Sequence, residues 1–216
     1  IESFLNVKEN EVKVPVRFIK ERLDDPENGL LMQKILKEEH FMLIALVDKN
    51  GNEVIKYDKF RTTFTEDIQN ILSRDDFKEA LKTQETSWSK VSVSNNFEPL
   101  ITLNVPVFSS KKELIGIVSA TINVSPLFRA LSDINTTEGK AYVVDSEGAL
   151  ISDPDLSLVL KGVNYSNRKI VRDSLSALPR AITLAYDDTY SYDDDEGVAM
   201  LAVGAKIPKT NWAVIF

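Results

Sequence analysis

Three short segments of the sequence each carry two small, uncharged polar side chains that lie two positions apart. Successive side chains of a β-strand point to opposite faces, so the two members of each pair share one face if the segments are strands. The pairs are Ser87 with Ser89, Thr102 with Asn104, and Ser119 with Thr121. Hydroxyl and amide groups both donate and accept hydrogen bonds, and six of them on one face could hold a small polar solute.

A simple antiparallel register brings two of these pairs together. It places Thr102 opposite Thr121 and Asn104 opposite Ser119, and it closes with a short turn over 110–113. The face that results could instead point to bulk water, where we would expect Lys, Glu or Arg. None of the six positions carries a charge, and we therefore predict that the face lines a partly enclosed pocket.

Charged and aromatic residues nearby are further candidates for contact with a bound solute. Arg74 lies in "SRDDFKEAL", and its guanidinium could form a bidentate pair with a carboxylate. The alternative is an exposed helix arginine beside Asp75 and Asp76. Tyr57 and Arg61 follow a predicted hairpin and could cover the pocket, or they could pack locally in a loop.

Composition excludes several other kinds of site. The sequence has no cysteine and a single histidine, His40, so a thiolate metal site is excluded and a Ser-His-Asp triad or metal cluster lacks the partners it needs. The acidic segment over 187–196 lacks the alternate spacing of a calcium loop. The net charge of −7 disfavours a nucleic-acid partner. We therefore predict no catalytic residues, no metal and no cofactor.

Helical periodicity dominates the N-terminal part of the chain. Apolar residues recur over 1–23 at spacings of three, four and seven, which predicts a long helix that is kinked by Pro15. A second, short helix is predicted over 30–39, after a break at Asn28 and Gly29.

The next part of the chain alternates between strand and helix signals. A hairpin is predicted over 41–57, split by the turn residues of 48–51, and a helix over 65–84. The further predicted elements are strands over 87–94, 100–108 and 114–124 and a connecting helix over 126–134.

The hairpin pattern occurs twice, because "LIALVDKNGNEVI" and "KAYVVDSEGALIS" both place a short turn between two apolar runs. After the second hairpin, the sequence predicts a helix over 172–178 and strands near 182–192, 197–206 and 212–216. The fold class is therefore α+β, with a long N-terminal helix followed by two antiparallel-sheet domains. The predicted divisions are 1–39 for the N-terminal helices, 40–124 for the first sheet domain, 125–137 for a connecting helix and linker, and 138–216 for the second sheet domain.

These segments resemble a known family. In this order and spacing, "ALVDKNGNEVI", "ITLNVPVFSSKKELIGIVSATINVSPL", "GKAYVVDSEGALISDPD" and the terminal "NWAVIF" are similar to the double Cache sensor domains, and the resemblance covers essentially the whole chain. Those domains are tandem PAS-like folds held between two membrane helices of sensor histidine kinases, chemoreceptors and diguanylate cyclases. The resemblance implies that the first sheet domain is membrane-distal and holds the ligand, that the second is membrane-proximal, and that membrane helices flank the chain.

The resemblance also implies part of the ligand site. Double Cache domains that bind amino acids carry Arg-x-Trp-Tyr-x-x-Ala, in which the Arg holds the carboxylate of the ligand. Arg74 and Ala80 match this motif, Phe77 stands for the Tyr, and Asp76 replaces the Trp.

The groups that hold an ammonium in those relatives are mostly missing here. Their Tyr-x-Asp on the next strand is Ser-Trp-Ser over 87–89, and their Asp on the last strand is Thr121. An ammonium needs a carboxylate and aromatic faces around it. We therefore expect ordinary amino acids to bind weakly, and the ligand to be an uncharged polar molecule or a small carboxylate contacting Arg74. If Asp76 turned inward, it would replace the missing acid and restore an amine ligand.

The function that follows is ligand sensing without catalysis. We expect the extracytoplasmic, periplasmic or extracellular, part of a membrane-anchored receptor, first of all a sensor histidine kinase, with a small polar or carboxylate molecule as partner. The N-terminal helix is a candidate surface for a homodimer. The alternatives are a ligand-free dimerisation scaffold of a receptor and a soluble hydrolase.

Overall fold

The computed structural model describes residues 1–133, 139–177, 190–193 and 199–216. The chain divides into one unit of Ser3–Val124 and a second of Ile1–Glu2 with Ser125–Phe216. The fold mixes helices with antiparallel sheets in both units. No helix of the described ranges is both long enough and apolar enough to cross a bilayer.

The first helix, α1, spans Glu2–Val16 and is shorter than the predicted 1–23. It ends one residue after Pro15, whose ring clashes with the preceding turn and which has no N–H to donate. The amides of 17–19 bond to carbonyls three residues back, at 3.4, 2.9 and 3.2 Å, so the chain leaves the helix through tight turns. The predicted long N-terminal helix over 1–23 is therefore wrong in its length, because α1 has only about four turns.

The second helix, α2, spans Pro26–Lys37, so its predicted start at residue 30 is wrong. Asp25 caps it by accepting a hydrogen bond from the Glu27 amide at 2.9 Å, and Pro26 occupies the first helical position, where no amide is needed. Asn28 and Gly29, which the sequence indicated as a break, lie inside the helix.

Six antiparallel strands form the sheet of the first unit, in the order β2-β1-β6-β5-β3, with β4 also paired to β5. Their bounds are β1 Phe41–Asp48, β2 Glu53–Asp58, β3 Ser87–Trp88, β4 Ser92–Val93, β5 Pro99–Phe108 and β6 Leu114–Asn123. The predicted hairpin and the predicted register are confirmed, since Thr102 pairs with Thr121 and Asn104 with Ser119. The predicted strand over 87–94 is interrupted between β3 and β4.

Helices cover the two faces of this sheet differently. Helix α2 packs against β1 and β2 on the face that carries Ile44 and Tyr57, and a Cβ on Gly29 would lie only 2.9 Å from the Tyr57 hydroxyl. The opposite face carries the predicted polar side chains. On that face, an apolar cluster joins the sheet to a third helix, α3, which spans Asp75–Thr83. Its members are Ala45, Val47, Ile71, Phe77, Ala80 and Ile117.

The predicted helix over 65–84 is limited to α3, preceded by a single 3-10 turn at Thr65–Asp67. Residues 69–71 bond to the β1–β2 hairpin instead of to a helix. The Glu53 amide donates to the Gln69 carbonyl at 3.1 Å, and the Ile71 amide donates to the Gly51 carbonyl at 2.8 Å. Because these backbone groups are already engaged, the helix cannot begin before them.

The second unit contains a four-stranded antiparallel sheet in the order β11-β12-β7-β8 and a two-stranded pair, β9 and β10. Its helix α5 was not expected; Asp155 caps it by accepting from the Ser157 amide at 2.9 Å. The predicted features over 134–138, 178–189 and 194–198 lie outside the described residues. The element bounds are α4 Ser125–Ser132, β7 Tyr142–Val144, β8 Leu150–Ser152, α5 Leu156–Leu160, α6 Lys169–Ser176, β9 Tyr190–Asp193, β10 Ala199–Ala202, β11 Gly204–Ile207 and β12 Trp212–Ile215.

Candidate functional site

The start of helix α3 places an ion pair beside the polar face of the first sheet. Arg74 is the N-cap residue, and Asp76 is the second residue of the helix. The Nε and Nη2 groups of Arg74 donate to the two carboxylate oxygens of Asp76, at 3.1 and 2.5 Å. The Asp76 side chain is 9% exposed and that of Arg74 is 35% exposed, so the acid points inward and the guanidinium lies at the rim.

Hydrogen bonds connect this ion pair to the sheet. Asn104 Nδ2 donates to Asp76 Oδ2 at 2.7 Å, and the Ser87 hydroxyl donates to the Asp76 carbonyl at 2.6 Å. Asn104 is fully buried, and Ser87 is nearly so. Four residues predicted from sequence, on α3, β3 and β5, therefore form one hydrogen-bonded network.

The strand β6 adds two hydroxyl groups next to this network. Ser119 lies directly across from Asn104, and Thr121 lies across from Thr102 with their hydroxyl oxygens 3.4 Å apart. Ser119 is buried, and its hydroxyl has no hydrogen-bond partner among the described residues. The polar face thus retains unused hydrogen-bonding capacity beside the ion pair.

One atom of the network has no hydrogen-bond partner among the residues that the structure describes. Asn104 Oδ1 is buried and accepts no hydrogen bond from the described part of the chain. The Asp76 carboxylate can only accept hydrogen bonds, so it fixes the amide with Nδ2 toward itself and Oδ1 directed elsewhere. A buried acceptor in this state is costly unless a donor is supplied from outside the chain.

Four other predicted contact residues take no part in the network, namely Tyr57, Phe77, Arg61 and Ser89. Tyr57 lies on the opposite face of the sheet, against α2, and Phe77 is fully buried in the apolar cluster under α3. Arg61 is exposed and pairs with Asp58 and Asp67, at 3.3 Å in both cases.

Ser89 also differs from the expectation that it faces the pocket. Its hydroxyl donates to the Lys90 carbonyl at 2.7 Å and accepts from the Thr102 amide at 2.8 Å. It therefore fills a gap in the backbone pairing between the two short edge strands. The alternation argument fails here because it assumes an unbroken strand.

Sequence reasoning missed a buried ion pair between two residues of β2. Lys56 Nζ donates to Glu53 at 2.8 Å, and the two side chains are 8% and 5% exposed. Lys56 also donates to the Asp67 carbonyl, and Glu53 accepts from the Gln69 amide, so the pair fastens the segment that leads to α3. Residues three apart in a regular strand point to opposite faces, and a bulge in β2 brings these two together.

The second unit has its own cluster of aromatic and charged side chains. The Arg168 guanidinium lies 3.6 Å from the centre of the Tyr165 ring. The rings of Tyr165 and Tyr142 pack edge to face, with their centres 5.4 Å apart. Burial raises the pKa of Tyr142 and also that of Asp153. In the ranges that are described, no group of three His, Asp or Glu residues could hold a metal ion.

A separate cavity of about 730 Å³ lies elsewhere in the first unit. It is bounded by α1, by residues 84–86 after α3, and by the end of β5. Its walls include Val105, whose side chain lies on the face of the sheet opposite to Asn104. None of Arg74, Asp76, Ser87 and Asn104 lines this cavity, so it is distinct from the hydrogen-bonded network.

Comparison with protein families gives one match. A family model described as a Cache domain matches residues 1–216. No curated protein matches the sequence.

Several solved structures have a similar fold. The ligand-binding domain of the Campylobacter jejuni chemoreceptor Tlp3, in complex with L-valine, is 14% identical with a TM-score of 0.72, over 100% of this chain and 85% of that one. The ligand-binding domain of the Pseudomonas aeruginosa PAO1 amino acid chemoreceptor PctC, in complex with GABA, is 17% identical with a TM-score of 0.69, over 99% of this chain and 91% of that one. The ligand-binding domain of Mlp24, with asparagine, is 16% identical with a TM-score of 0.67, over 99% of this chain and 83% of that one. At these identities the likeness shows the fold.

Proposed function

This chain belongs to the Cache domain family, and from that premise we propose that it is the extracytoplasmic ligand-sensing domain of a transmembrane receptor. A small polar solute binds on the polar face of the first unit, beside Arg74 and Asp76. The domain itself carries out no catalysis. The receptor's output lies in another part of the protein, for which a sensor histidine kinase or a chemoreceptor is the natural candidate.

The observation that carries this proposal is the network of Arg74, Asp76, Ser87 and Asn104. Structural ion pairs on a protein surface are usually exposed and worth little. In this pair the acid is nearly buried and accepts a hydrogen bond from a fully buried amide. The pair also lies beside the hydroxyl of Ser119, which has no hydrogen-bond partner among the described residues. Convergent polar groups with spare hydrogen-bonding capacity are typical of small-molecule sites.

The same arrangement suggests how binding produces a signal. Arg74 and Asp76 belong to the first turn of α3, whereas Asn104 and Ser119 belong to the sheet. A solute that bonds to both elements favours one position of the helix against the sheet, and a ligand shifts an equilibrium by its difference in affinity for the two states. The tandem arrangement of two PAS-like modules, with the first unit membrane-distal and the second membrane-proximal, is part of this proposal.

The ligand-free scaffold remains the main alternative, and one observation speaks against a hydrolase. The single histidine, His40, directly precedes β1, and the centre of its ring lies 5.7 Å from the centre of the Phe4 ring. Among the described residues the His40 side chain pairs with Glu39 and forms no hydrogen bond with a serine, so the Ser-His pair that nucleophilic attack needs is not formed there.

A thermal-shift screen tests the proposal. A library of small polar solutes, including amino acids, organic acids and amides, should contain compounds that raise the melting temperature by about 5–10 °C at a hundredfold excess over their Kd. We expect Asp76→Asn to abolish these shifts, because the substitution removes the charge that orders both Arg74 and Asn104.

Asp75→Asn is the matched control for this variant. It removes the same charge one residue earlier on the same helix, where the side chain is fully exposed. The shifts should survive in this variant. A library without any stabilising solute would contradict the proposed function and favour the scaffold. Shifts that persist in Asp76→Asn would contradict the proposed binding site on the polar face.

A further inference from the structure

The cavity of about 730 Å³ beside α1 lies wholly within the first unit and is large enough to hold a ligand of its own. Small-molecule sites in proteins have volumes of about 300–1,000 Å³. One wall of this cavity is formed by α1 and the residue that follows it, and another by residues 84–86 after α3. None of the four residues of the hydrogen-bonded network lines it, so a molecule in this cavity would occupy a second site.

The α1 wall presents two cationic side chains to the cavity. Lys13 lies in the last turn of α1, and Arg17 directly follows the helix. The Lys13 ammonium pairs with the carboxylate of Glu9, one turn earlier, whose side chain is 9% exposed. Arg17 forms no ion pair among the described residues, and its guanidinium takes part in none of their hydrogen bonds. Its N–H groups are therefore available to a ligand.

The charges around the cavity favour an anionic group at the α1 wall. Glu9 and Lys13 neutralise each other, which leaves Arg17 as the unpaired cation on this side. A guanidinium presents its N–H groups in a planar fork that matches a carboxylate. The remaining acid of the lining, Glu85, is exposed on the opposite wall, and in the described part of the chain it forms no ion pair with Arg17.

Apolar side chains form another part of the lining. Val16 and Val105 are 7% and 3% exposed, and they come from α1 and from the sheet. Phe108, at the end of β5, is 43% exposed and leaves apolar surface in contact with water. A ligand with an apolar body would cover this surface, which is favourable because apolar area is removed from water. The cavity thus combines a cationic group with an apolar surface.

We propose that the cavity beside α1 is a second ligand site and that it takes an amphipathic monocarboxylate. The carboxylate accepts hydrogen bonds from Arg17, with Lys13 nearby, and the apolar body packs against Val16, Val105 and Phe108. A ligand in this position contacts both α1 and the sheet, so it favours one position of α1 against β5. This inference does not depend on the proposed function, because it uses none of the residues of the network.

Titration calorimetry with matched compounds tests the inference on the unaltered protein. The two probes are hydrocinnamate, with an aromatic body, and octanoate, with an aliphatic one. Hydrocinnamamide and octanamide remove only the negative charge, phenylpropylamine and octylamine reverse it, and propionate lacks the apolar body. We expect at least one of the two probes to bind at least about tenfold more tightly than its amide, its amine and propionate. These amphipathic compounds are tested apart from the screen of small polar solutes.

Arg17→Gln tests where the carboxylate binds. Arg17 is exposed, so the substitution should leave the fold intact, and we expect it to weaken the binding of the probe at least about fivefold. Arg22→Gln is the matched control, since Arg22 is an exposed arginine of the following segment that does not line the cavity, and it should leave the affinity unchanged. Glu85→Gln removes the acid of the opposite wall, and it should not weaken the binding of an anion.

The outcomes separate this inference from the proposed function. We expect Asp76→Asn to leave the binding of the probe unchanged and Arg17→Gln to leave the thermal shifts of the small polar solutes unchanged. If neither probe binds, if an amide or amine binds as tightly as its carboxylate, or if Arg17→Gln has no effect, the inference is wrong and the sensing role stands. A weaker affinity in Glu85→Gln would also contradict it, because it would indicate a cationic ligand.

Discussion

Two buried asparagines in the first unit have opposite hydrogen-bonding states. Asn28 is fully buried, accepts from the Lys20 amide at 2.7 Å, and donates to the carbonyls of Lys20, Arg22 and Leu23 at 3.0–3.2 Å. Asn104 is equally buried, but no donor in the described part of the chain bonds to its carbonyl oxygen. The satisfied side chain stabilises the fold, and we propose that the unsatisfied one belongs to the ligand site.

Replacement of Asn28 by alanine tests the first half of this contrast. Asn28→Ala leaves four backbone groups of 20–23 without their partner, and we expect the free energy of unfolding to fall by about 2–4 kcal/mol in urea titrations. Asn10→Ala is the control, since Asn10 is exposed on helix α1 and should change stability by less than about 0.5 kcal/mol. Equal effects of the two substitutions would show that the side-chain bonds of Asn28 do not hold the segment.

At the scale of elements, the turn of the first hairpin determines where helix α3 begins. Gly51 adopts a φ of +84°, and its carbonyl accepts from the Ile71 amide at 2.8 Å. A Cβ at this position would lie 2.6 Å from the backbone nitrogen of Leu72. The turn therefore needs glycine for its conformation and for the close approach of the chain that leads to Arg74 and Asp76.

Substitution of this glycine should cost more than its conformation alone explains. We expect Gly51→Ala to lower the free energy of unfolding by about 3 kcal/mol, because it adds a clash with backbone to the strain of a positive φ. Gly162→Ala is the comparison, since Gly162 has a φ of +67° but open space around it, and its cost should be about 1 kcal/mol. Chemical denaturation measures both, and similar costs would mean that the contact with Leu72 is easily relieved.

The same scale shows which features the sequence could predict. The hairpin and the pairing of Asn104 with Ser119 were predictable because alternation and turn residues act locally. The end of α1 was not predicted, because Pro15 was expected to kink the helix and instead lies one residue before its end. The start of α3 was not predicted, because bonds to the distant β1–β2 hairpin take up the backbone groups that precede it. The polar face of the site was predictable because it follows from local alternation along the strands. The inward direction of Asp76 was not predictable, because it depends on where α3 starts.

At the scale of the whole molecule, the proposal assigns ligand binding to the first unit. The polar network lies wholly within Ser3–Val124. The aromatic and charged cluster of the second unit packs ring against guanidinium, which is sufficient to explain its burial. We therefore expect a solute that stabilises the protein to be found in the first unit.

The most direct measurement is a crystal structure of the protein with the solute that gives the largest thermal shift. The account predicts electron density for that solute on the polar face, in contact with Arg74 and Asn104, and with Asn104 Oδ1 accepting a hydrogen bond from it. Density for the solute in the second unit, or in the cavity beside α1, with the polar face left as it is, would contradict the account.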